Sequence, residues 1–580
     1  MTAETITVAN PILNGMYPDP SWIWDDSKQR ITLVNSSFEL VPGLPIHVSD
    51  DLAHWTHVSD AIDPDMARRL LIPFVEDSGG VYAPTLRKIA GKYVIACTIA
   101  RIDTNKAVES GCSQEELEKV RLADGNFIIE ADDIEGPWRG PYWIQGAEGI
   151  DPDIFEDCDG SVYWTQTRPA VFPQWEGQTE VWTQRIDPRT WTLVEGERSI
   201  GCAKTVIWRG YGMEAVWAEG PHLYRIGDYV YLLTAEGGTS FEHSEMAMRI
   251  HAPNGLAEAF AEYERVVVEA GEDVPHVREG ERCYLGDTVR AFHADKKNPI
   301  LTHRHLGMAE PVQCVGHGDL LHHPRFGWWM VCLGVRETHG PNPGELLSYL
   351  GRESFVTPVR WEHNPTDWKL HGDGMPTPPK DDPGWPVTCA GIGRLPDEVS
   401  MTMDGKGCPE IAVRAGISVS EPAPVVLDVR RCDESAVFVR DDRDVRYWRM
   451  PQLPCLMPLP DSGSLIVRQD SANYAIFASR NGIVEVRLCS VGDEGEISRI
   501  EIPDGDSSRI AVLFAGNRLA IVACADEQVD DSSAFQDMCR NTYQDACAGV
   551  WKVLHDVDAR FLSTEWAGGF VGCMAGLLPD

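Results

Sequence analysis

Positive charge is scarce in this 580-residue chain: 51 lysines and arginines stand against 89 aspartates and glutamates, a formal net charge of −38. Such a surface repels phosphate backbones and anionic membranes, which argues against nucleic acid or a membrane as partner and favours a neutral substrate. The excess is dispersed, with no acidic tail, and so reads mostly as solvated surface. No run of eighteen apolar residues occurs, too little for a membrane-spanning helix. The opening MTAETITVANPIL lacks the basic start and apolar core of an export signal, so a cytoplasmic protein is expected. None of the sixteen cysteines belongs to a CxxC pair. Many sit in apolar runs such as VIACTI and MVCLGV, where a thiol behaves as a small hydrophobe, as in a reducing compartment. HExxH is also missing, so His303, His305, His322 and His323 carry no zinc signature.

What the chain does have is short strand-like runs rich in β-branched and aromatic residues, among them RITLVNSSF, KYVIACTIA, SVYWTQT, EVWTQRID, DYVYLLTAE and WWMVCLGV. A single early helix is expected at SQEELEKVRLADG, where Ser113 and Glu116 make a capping box and Gly125 ends the turn. The fold class is therefore all-β with a helical insertion at 113–125. With 43% hydrophobic residues, the chain can fill two domains or three. The Pro, Gly and Asp-rich HGDGMPTPPKDDPGWPV reads as a linker, placed at 373–390, between a first domain over 1–372 and a second over 391–580. The second domain continues with SLIVRQD, YAIFASR, IVEVRLCS, RIAVLFAG and RLAIVACAD, then a helix-like SSAFQDMCRNTYQDA. Alternating short strands at that density predict a β-sandwich.

Three carboxylates recur in similar settings at strand starts: Asp19 in NGMYPDPS, Asp151 in EGIDPDIFED and Glu219 in WAEGPHLY. Asp and Pro are ordinary turn formers. An acid fixed beside Pro or Gly is also held as general acid–base chemistry requires, and two such groups across a sugar can cleave a glycosidic bond. Asp19 to Pro84 of VYAP is 65 residues, Pro84 to Asp151 is 67, Asp151 to Glu219 is 68, and Glu219 to His317 of GHGDL is 98. Quasi-regular spacing of five points suits five sheets arranged radially, with a site on the axis.

Taken in order, NPILNGMYPDPS, NSSFELVPGLPIHVSDDLAHW, VYAPTLRK, GIDPDIFEDCDGSVYW, EGPHLYRIGDYVYLLTAEGGT, GHGDLLHHPRFGWWMVCLGVR, LGRESFVTPVRW and the closing FLSTEWAGGFVGCMAGLLPD resemble glycoside hydrolase family 43. The nearest likeness is to its two-domain β-xylosidases and α-L-arabinofuranosidases. The resemblance implies a five-bladed β-propeller followed by a C-terminal β-sandwich packed on it, and hydrolysis with inversion. It implies Asp19 as general base, Glu219 as general acid and Asp151 as the residue that tunes and orients that acid. Arg352 of LGRES would hold substrate hydroxyls, and Phe38 of SSFE would be a pocket wall, although an aromatic among strand residues is equally an ordinary core residue. Tyr82 stands where the family's motif has tryptophan, which leaves pocket width open. His317 would lie on the axis beneath the sugar, where some members hold a hydrated calcium ion; the chemistry itself requires no cofactor.

The function expected from this resemblance is exo-acting release of a pentose from the non-reducing end of xylan-derived oligosaccharides, as a β-D-xylosidase with α-L-arabinofuranosidase activity. The alternative is an α-L-arabinofuranosidase acting on arabinoxylan or arabinan side chains. An endo-arabinanase and an inactive carbohydrate-binding propeller are the further alternatives. Xylose against arabinose, and assembly into a homo-oligomer, stay open.

Overall fold

A computed structural model describes residues 5–194, 204–212, 216–269, 291–363, 381–403, 409–415, 425–430, 436–439, 442–495, 497–502, 509–524 and 551–579. Five antiparallel sheets of four or five strands succeed one another along the chain, and their first strands are Ser21–Asp25, Val75–Ile89, Ile150–Glu156, Ala218–Ile226 and Val312–His323. Each sheet is built mainly from sequential neighbours, so most pairings are local hairpins. The first strand of each sheet packs against the first strand of the next, and that of the fifth packs against that of the first.

Hydrophobic packing follows the same circuit. Val34, Ile46, Val81 and Ile95 join the first two sheets, and Ile128, Ile154, Trp164 and Trp182 join the second and third. Tyr163, Leu223 and Met248 join the third and fourth, and Leu233, Val315 and Met330 join the fourth and fifth. Trp22, Leu33, Trp329 and Val331 join the fifth back to the first. A sheet covered on both faces needs continuous apolar strands, which is why KYVIACTIA lacks the alternation of a half-exposed strand.

Thr5–Ala9 pairs with Glu398–Met403, which pairs with Pro409–Arg414, and this small sheet covers the junction of the first and fifth sheets. Further along, a five-stranded and a nine-stranded sheet face each other across one core, to which the first gives Met457, Val512 and Phe514 and the second Leu465, Val467 and Phe477. Leu40–Val41, from the first sheet's own loop, pairs with Val437–Val439 at the edge of the nine-stranded sheet. Trp385–Val387, inside the stretch expected as linker, is the outer strand of the fifth sheet, paired with Arg360–Glu362. Residues 371–380 of that stretch and the expected helix SSAFQDMCRNTYQDA lie outside the described residues.

Helix Gln114–Leu122 forms as expected: the Glu116 N–H donates to Ser113 Oγ at 3.2 Å and the Ser113 N–H donates to Glu116 Oε2 at 2.9 Å. Gly125 then takes φ +74°, where a Cβ would meet the Ile99 carbonyl oxygen at 2.1 Å. Among the described residues four helices were not expected: Pro64–Arg69, Thr104–Glu109, Leu256–Glu269 and the four-residue Thr564–Ala567. The first two are single-turn capped pieces too short for periodicity to register, and the third carries the β-branched run VVV that reads as strand. The ten described cysteines are all free thiols, eight of them buried.

Candidate active site

The first strands break register at the residues of interest. Pairing shifts between Tyr82 and Thr85, between Ile150 and Asp153, between Glu219 and His222, and twice between Gln313 and Asp319. A bulge bends a strand and re-aims the side chain beside it. Prolines cause several of these breaks, because Pro84, Pro152 and Pro221 have no N–H to give the ladder. Asp19, Asp151 and His317 take left-handed conformations, with φ of 48°, 56° and 52°. For non-glycine residues that costs on the order of 1–3 kcal/mol each and persists only where the surroundings enforce it. Gly220, also left-handed at φ +54°, cannot be another residue, since a Cβ would meet the His317 imidazole at 2.8 Å.

Beneath these residues lies a buried polar network to which all five sheets contribute. Arg87 donates to Asp319 through both terminal nitrogens, at 2.9 and 3.2 Å, and lies 3.3 Å from Asp153. Ser21 Oγ donates to Asp319 at 2.7 Å and the Tyr224 hydroxyl does so at 2.5 Å, while Asp153 accepts the Leu223 N–H at 3.0 Å. The chain signals this arrangement: Ser21, Asp153 and Asp319 each follow Asp19, Asp151 and His317 by two residues, the repeat that returns a strand side chain to one face.

Above the network stand three carboxyls in different electrostatic states, Asp19 and Asp151 buried and Glu219 partly buried. Burial alone would raise Asp19, but the Arg352 guanidinium and the Ser36 hydroxyl, which donate to it at 2.7 and 2.6 Å, pull it below the usual carboxylate range. Glu219 is pushed well up, first by burial and then by Asp151 and Asp19, and its Oε1 is buried without a hydrogen-bond partner among the described residues. Asp151 is also raised, by burial and then by Asp19, while the Gly220 N–H at 3.2 Å opposes the shift. Burial pushes His317 and His243 down to about 4, so both are neutral at pH 7 and Arg352 is the cation that holds Asp19 ionised. The site thus pairs an ionised carboxylate with a protonated one, the division of labour of a base and an acid. Asp151→Asn should lower the alkaline limb of the kcat/KM profile by on the order of one pH unit, because a neighbouring negative charge is removed. An unmoved limb would take Asp151 out of that role.

Arg352 also gathers the aromatic residues. Its guanidinium lies 5.4 Å from the Phe38 ring centre and 5.6 Å from that of Phe570, and the Phe38 and Tyr82 rings are 5.2 Å apart. Phe38 is buried, packed with Met16, Leu40 and Val437, with the Arg352 guanidinium over its ring. The Tyr82 hydroxyl donates to the Ser78 carbonyl at 2.8 Å, which fixes the ring.

Sequence reasoning missed Ser36, His243 and Phe570. Ser36 stood within the quoted NSSF, and Phe570 within the quoted closing motif; nothing local tied either to the carboxyls. The Phe570 N–H donates to Ser78 Oγ at 2.9 Å, so the end of the chain is tied to the second sheet at the site. The expected calcium has no ligand set here. Among the described residues no group of three or more His, Cys, Asp or Glu could hold a metal. The carboxylates that act electrostatically on His317 are already engaged, Asp19 by Arg352 and Ser36, and Asp319 by Arg87, Ser21 and Tyr224. Calcium takes about six to eight oxygen ligands.

An all-β chain whose sheets converge on one lowered and one raised carboxyl has the makings of a glycosidase. The comparisons agree: the model for glycosyl hydrolases family 43 matches residues 8–275, and the chain belongs to that family. A xylosidase/arabinosidase of Butyrivibrio fibrisolvens is 34% identical over 98% of this chain and 95% of its own. A non-reducing end α-L-arabinofuranosidase of Bacteroides ovatus is 28% identical over 98% of this chain and 91% of its own. Among solved structures, a xylan β-1,4-xylosidase of Bacillus halodurans superposes with a TM-score of 0.63 at 19% identity, over 99% of this chain and 96% of that one, a likeness of fold.

Proposed function

We propose that this glycosidase is exo-acting and inverting, releasing a pentose from the non-reducing end of xylan-derived oligosaccharides as a β-D-xylosidase with α-L-arabinofuranosidase activity. Asp19 is the general base, which takes a proton from the water that attacks the anomeric carbon. Glu219 is the general acid, which protonates the departing oxygen. Asp151 keeps Glu219 protonated, Arg352 holds sugar hydroxyls, and Phe38, Tyr82 and His317 shape the pocket. Inversion needs the acid and base roughly 6.5–9.5 Å apart to admit the water. The five sheets are the blades of a five-bladed β-propeller with the site on its axis, and the later pair of sheets is a β-sandwich that closes one side through Phe570; the closed circuit of packing supports this arrangement. The enzyme acts in the cytoplasm on imported oligosaccharides.

The observation that carries the proposal is the opposite displacement of Asp19 and Glu219, one drawn down by Arg352 and one pushed up by burial and Asp151. The B. ovatus relative favours a second activity, α-L-arabinofuranosidase, in the same pocket. The test is digestion of the two nitrophenyl pentosides, xylobiose and arabinoxylan oligosaccharides, followed at once by proton NMR. Xylose is expected, appearing first as the α-anomer from a β-xyloside. Retention of the β-anomer would sink the inverting assignment. Arabinose alone, with no xylose from xylobiose, would promote the second activity.

A further inference from the structure

The three rings beside Arg352 come from distant parts of the chain, yet all are tied to one short turn of the second sheet. Pairing between that sheet's first two strands shifts between Val75 and Gly80, so residues 76–79 bulge out of the ladder. Ser78 lies in this bulge, buried and left-handed at φ 57°. A serine holds that conformation only where its contacts enforce it. Its contacts are those of the pocket. The Ser78 carbonyl accepts from the Tyr82 hydroxyl at 2.8 Å, and Ser78 Oγ accepts from the Phe570 N–H at 2.9 Å. Three residues on, Val81 exchanges both backbone hydrogen bonds with Phe38 at 3.0 Å. The rings so placed meet one another, Phe570 lying 6.1 Å from Phe38 and 6.2 Å from Tyr82 between centres.

The turn is also gripped by the nine-stranded sheet. Asp77 accepts a hydrogen bond from Ser471 Oγ and lies 3.6 Å from Arg468. Gly569 packs directly on the serine: a Cβ there would meet Ser78 Oγ at 2.5 Å. Phe570 itself is 37% exposed and belongs to no strand, so no ladder fixes its ring. The bond from its N–H to Ser78 does that work, and the Arg352 guanidinium 5.6 Å from the ring centre is what the ring then covers.

We propose that Ser78 is a positioning residue for the reaction: from one left-handed turn it seats the Phe570 ring over Arg352 and holds the Tyr82 ring beside it. The closing segment completes the pocket through this serine, which acts only through the rings. The inference rests on Arg352, Tyr82 and Phe570 facing the sugar, as proposed above.

Rings that bind the sugar alike in the ground and transition states act on KM when they are displaced, whereas a merely destabilised protein loses active molecules and shows a lower kcat at unchanged KM. Ser78→Gly separates the two, because glycine takes the left-handed conformation without strain and removes only the hydroxymethyl group. On the nitrophenyl pentoside that the parent cleaves faster, Ser78→Gly should raise KM about tenfold, the weight of one lost hydrogen bond, with kcat close to that of the parent. Phe570→Ala should raise KM at least as much. In the Phe570→Ala background the backbone N–H at 570 remains but the ring does not, so Ser78→Gly should there add little. An effect of Ser78→Gly that is equally large in both backgrounds, or that falls on kcat alone, would overturn the role. Gly569→Ala strikes the same contact from the other side and stands in if Ser78→Gly fails to fold; an unchanged KM would again overturn it. Calorimetric titration with xylose and with arabinose repeats the comparison without turnover. A parent that cleaves no glycoside but whose pentose affinity falls about tenfold with Ser78→Gly would sink the proposed reaction and keep the positioning role, while an affinity that does not move would sink the role.

Discussion

Asp19→Asn and Glu219→Gln are each expected to lower kcat on oligosaccharides by about 10²–10⁴-fold while leaving the circular dichroism spectrum that of the parent. Each change keeps the shape of the side chain and removes its proton chemistry. Asp19 is held ionised by Arg352 at 2.7 Å, so its asparagine variant loses the lone pair that would take the proton from water. Glu219 is held protonated by burial and by Asp151, so its glutamine variant keeps a donor of similar shape that cannot release its hydrogen. The two losses should differ with the leaving group. A nitrophenolate departs with little protonation, so Glu219→Gln should cost far less on a nitrophenyl pentoside than on xylobiose, whereas Asp19→Asn should cost much the same on both. Equal loss across leaving groups for Glu219→Gln would count against Glu219 as the acid. The parent profile supplies a second check: its acid limb should fall below the usual carboxylate range, because Asp19 is lowered, and its alkaline limb above it, because Glu219 is raised.

The carboxyls were legible because their surroundings are written locally. A proline after Asp19 and Asp151, and a Gly-Pro after Glu219, announce a break in the ladder at a strand start, and the structure has left-handed backbone or a register shift at each. Phe570 carries no such mark. It reaches the site only because the closing segment folds back against the second and fifth sheets, as the Phe570 to Ser78 and Ser348 to Glu565 bonds record. Contacts made across hundreds of residues leave no short-range pattern to read.

The all-β class and the capped helix at Gln114–Leu122 follow from propensity and capping, which are local. The way the layers interlock is not local. Leu40–Val41 is only two residues long, yet it adds an edge strand to a sheet made of residues some four hundred positions later. Thr5–Ala9 likewise finds its partner in Glu398–Met403. A composition shift near residue 372 marks a change of texture, but strand pairing crosses it in both directions, and hydrophobic periodicity cannot name a strand's partner.

Removing the guanidinium at the centre of the five sheets is expected to be the most damaging single change to stability. Arg87→Met should destabilise the protein by about 3–5 kcal/mol, the usual cost of leaving a buried charge without its partner. Arg87 spans Asp319 and Asp153, and both carboxylates are fully buried. Without it, two negative charges face one another with no permanent cation between them, His222 lying 3.3 Å from Asp153 and His317 near Asp319. Arg87→Lys should recover part of the loss, because an ammonium keeps the charge but not the fork that reaches both acids. In the parent, burial opposes ionisation of Asp319 but Arg87 wins, and the carboxyl is lowered to about 2. A lowered carboxyl adds stability above its unfolded pKa, near 4, and loses it as pH falls toward the folded value. The penalty of Arg87→Met, read from urea midpoints, should therefore be largest at pH 7 and shrink below about pH 4, and Asp319→Asn in the same chain should relieve part of it at neutral pH. A penalty that is absent, or constant from pH 7 to pH 3, would show that the network is not what holds the inner strands together. Because Asp153 and Asp319 sit two residues beyond Asp151 and His317, any partly folded Arg87 variant should also lose turnover in proportion to the looseness of those strands.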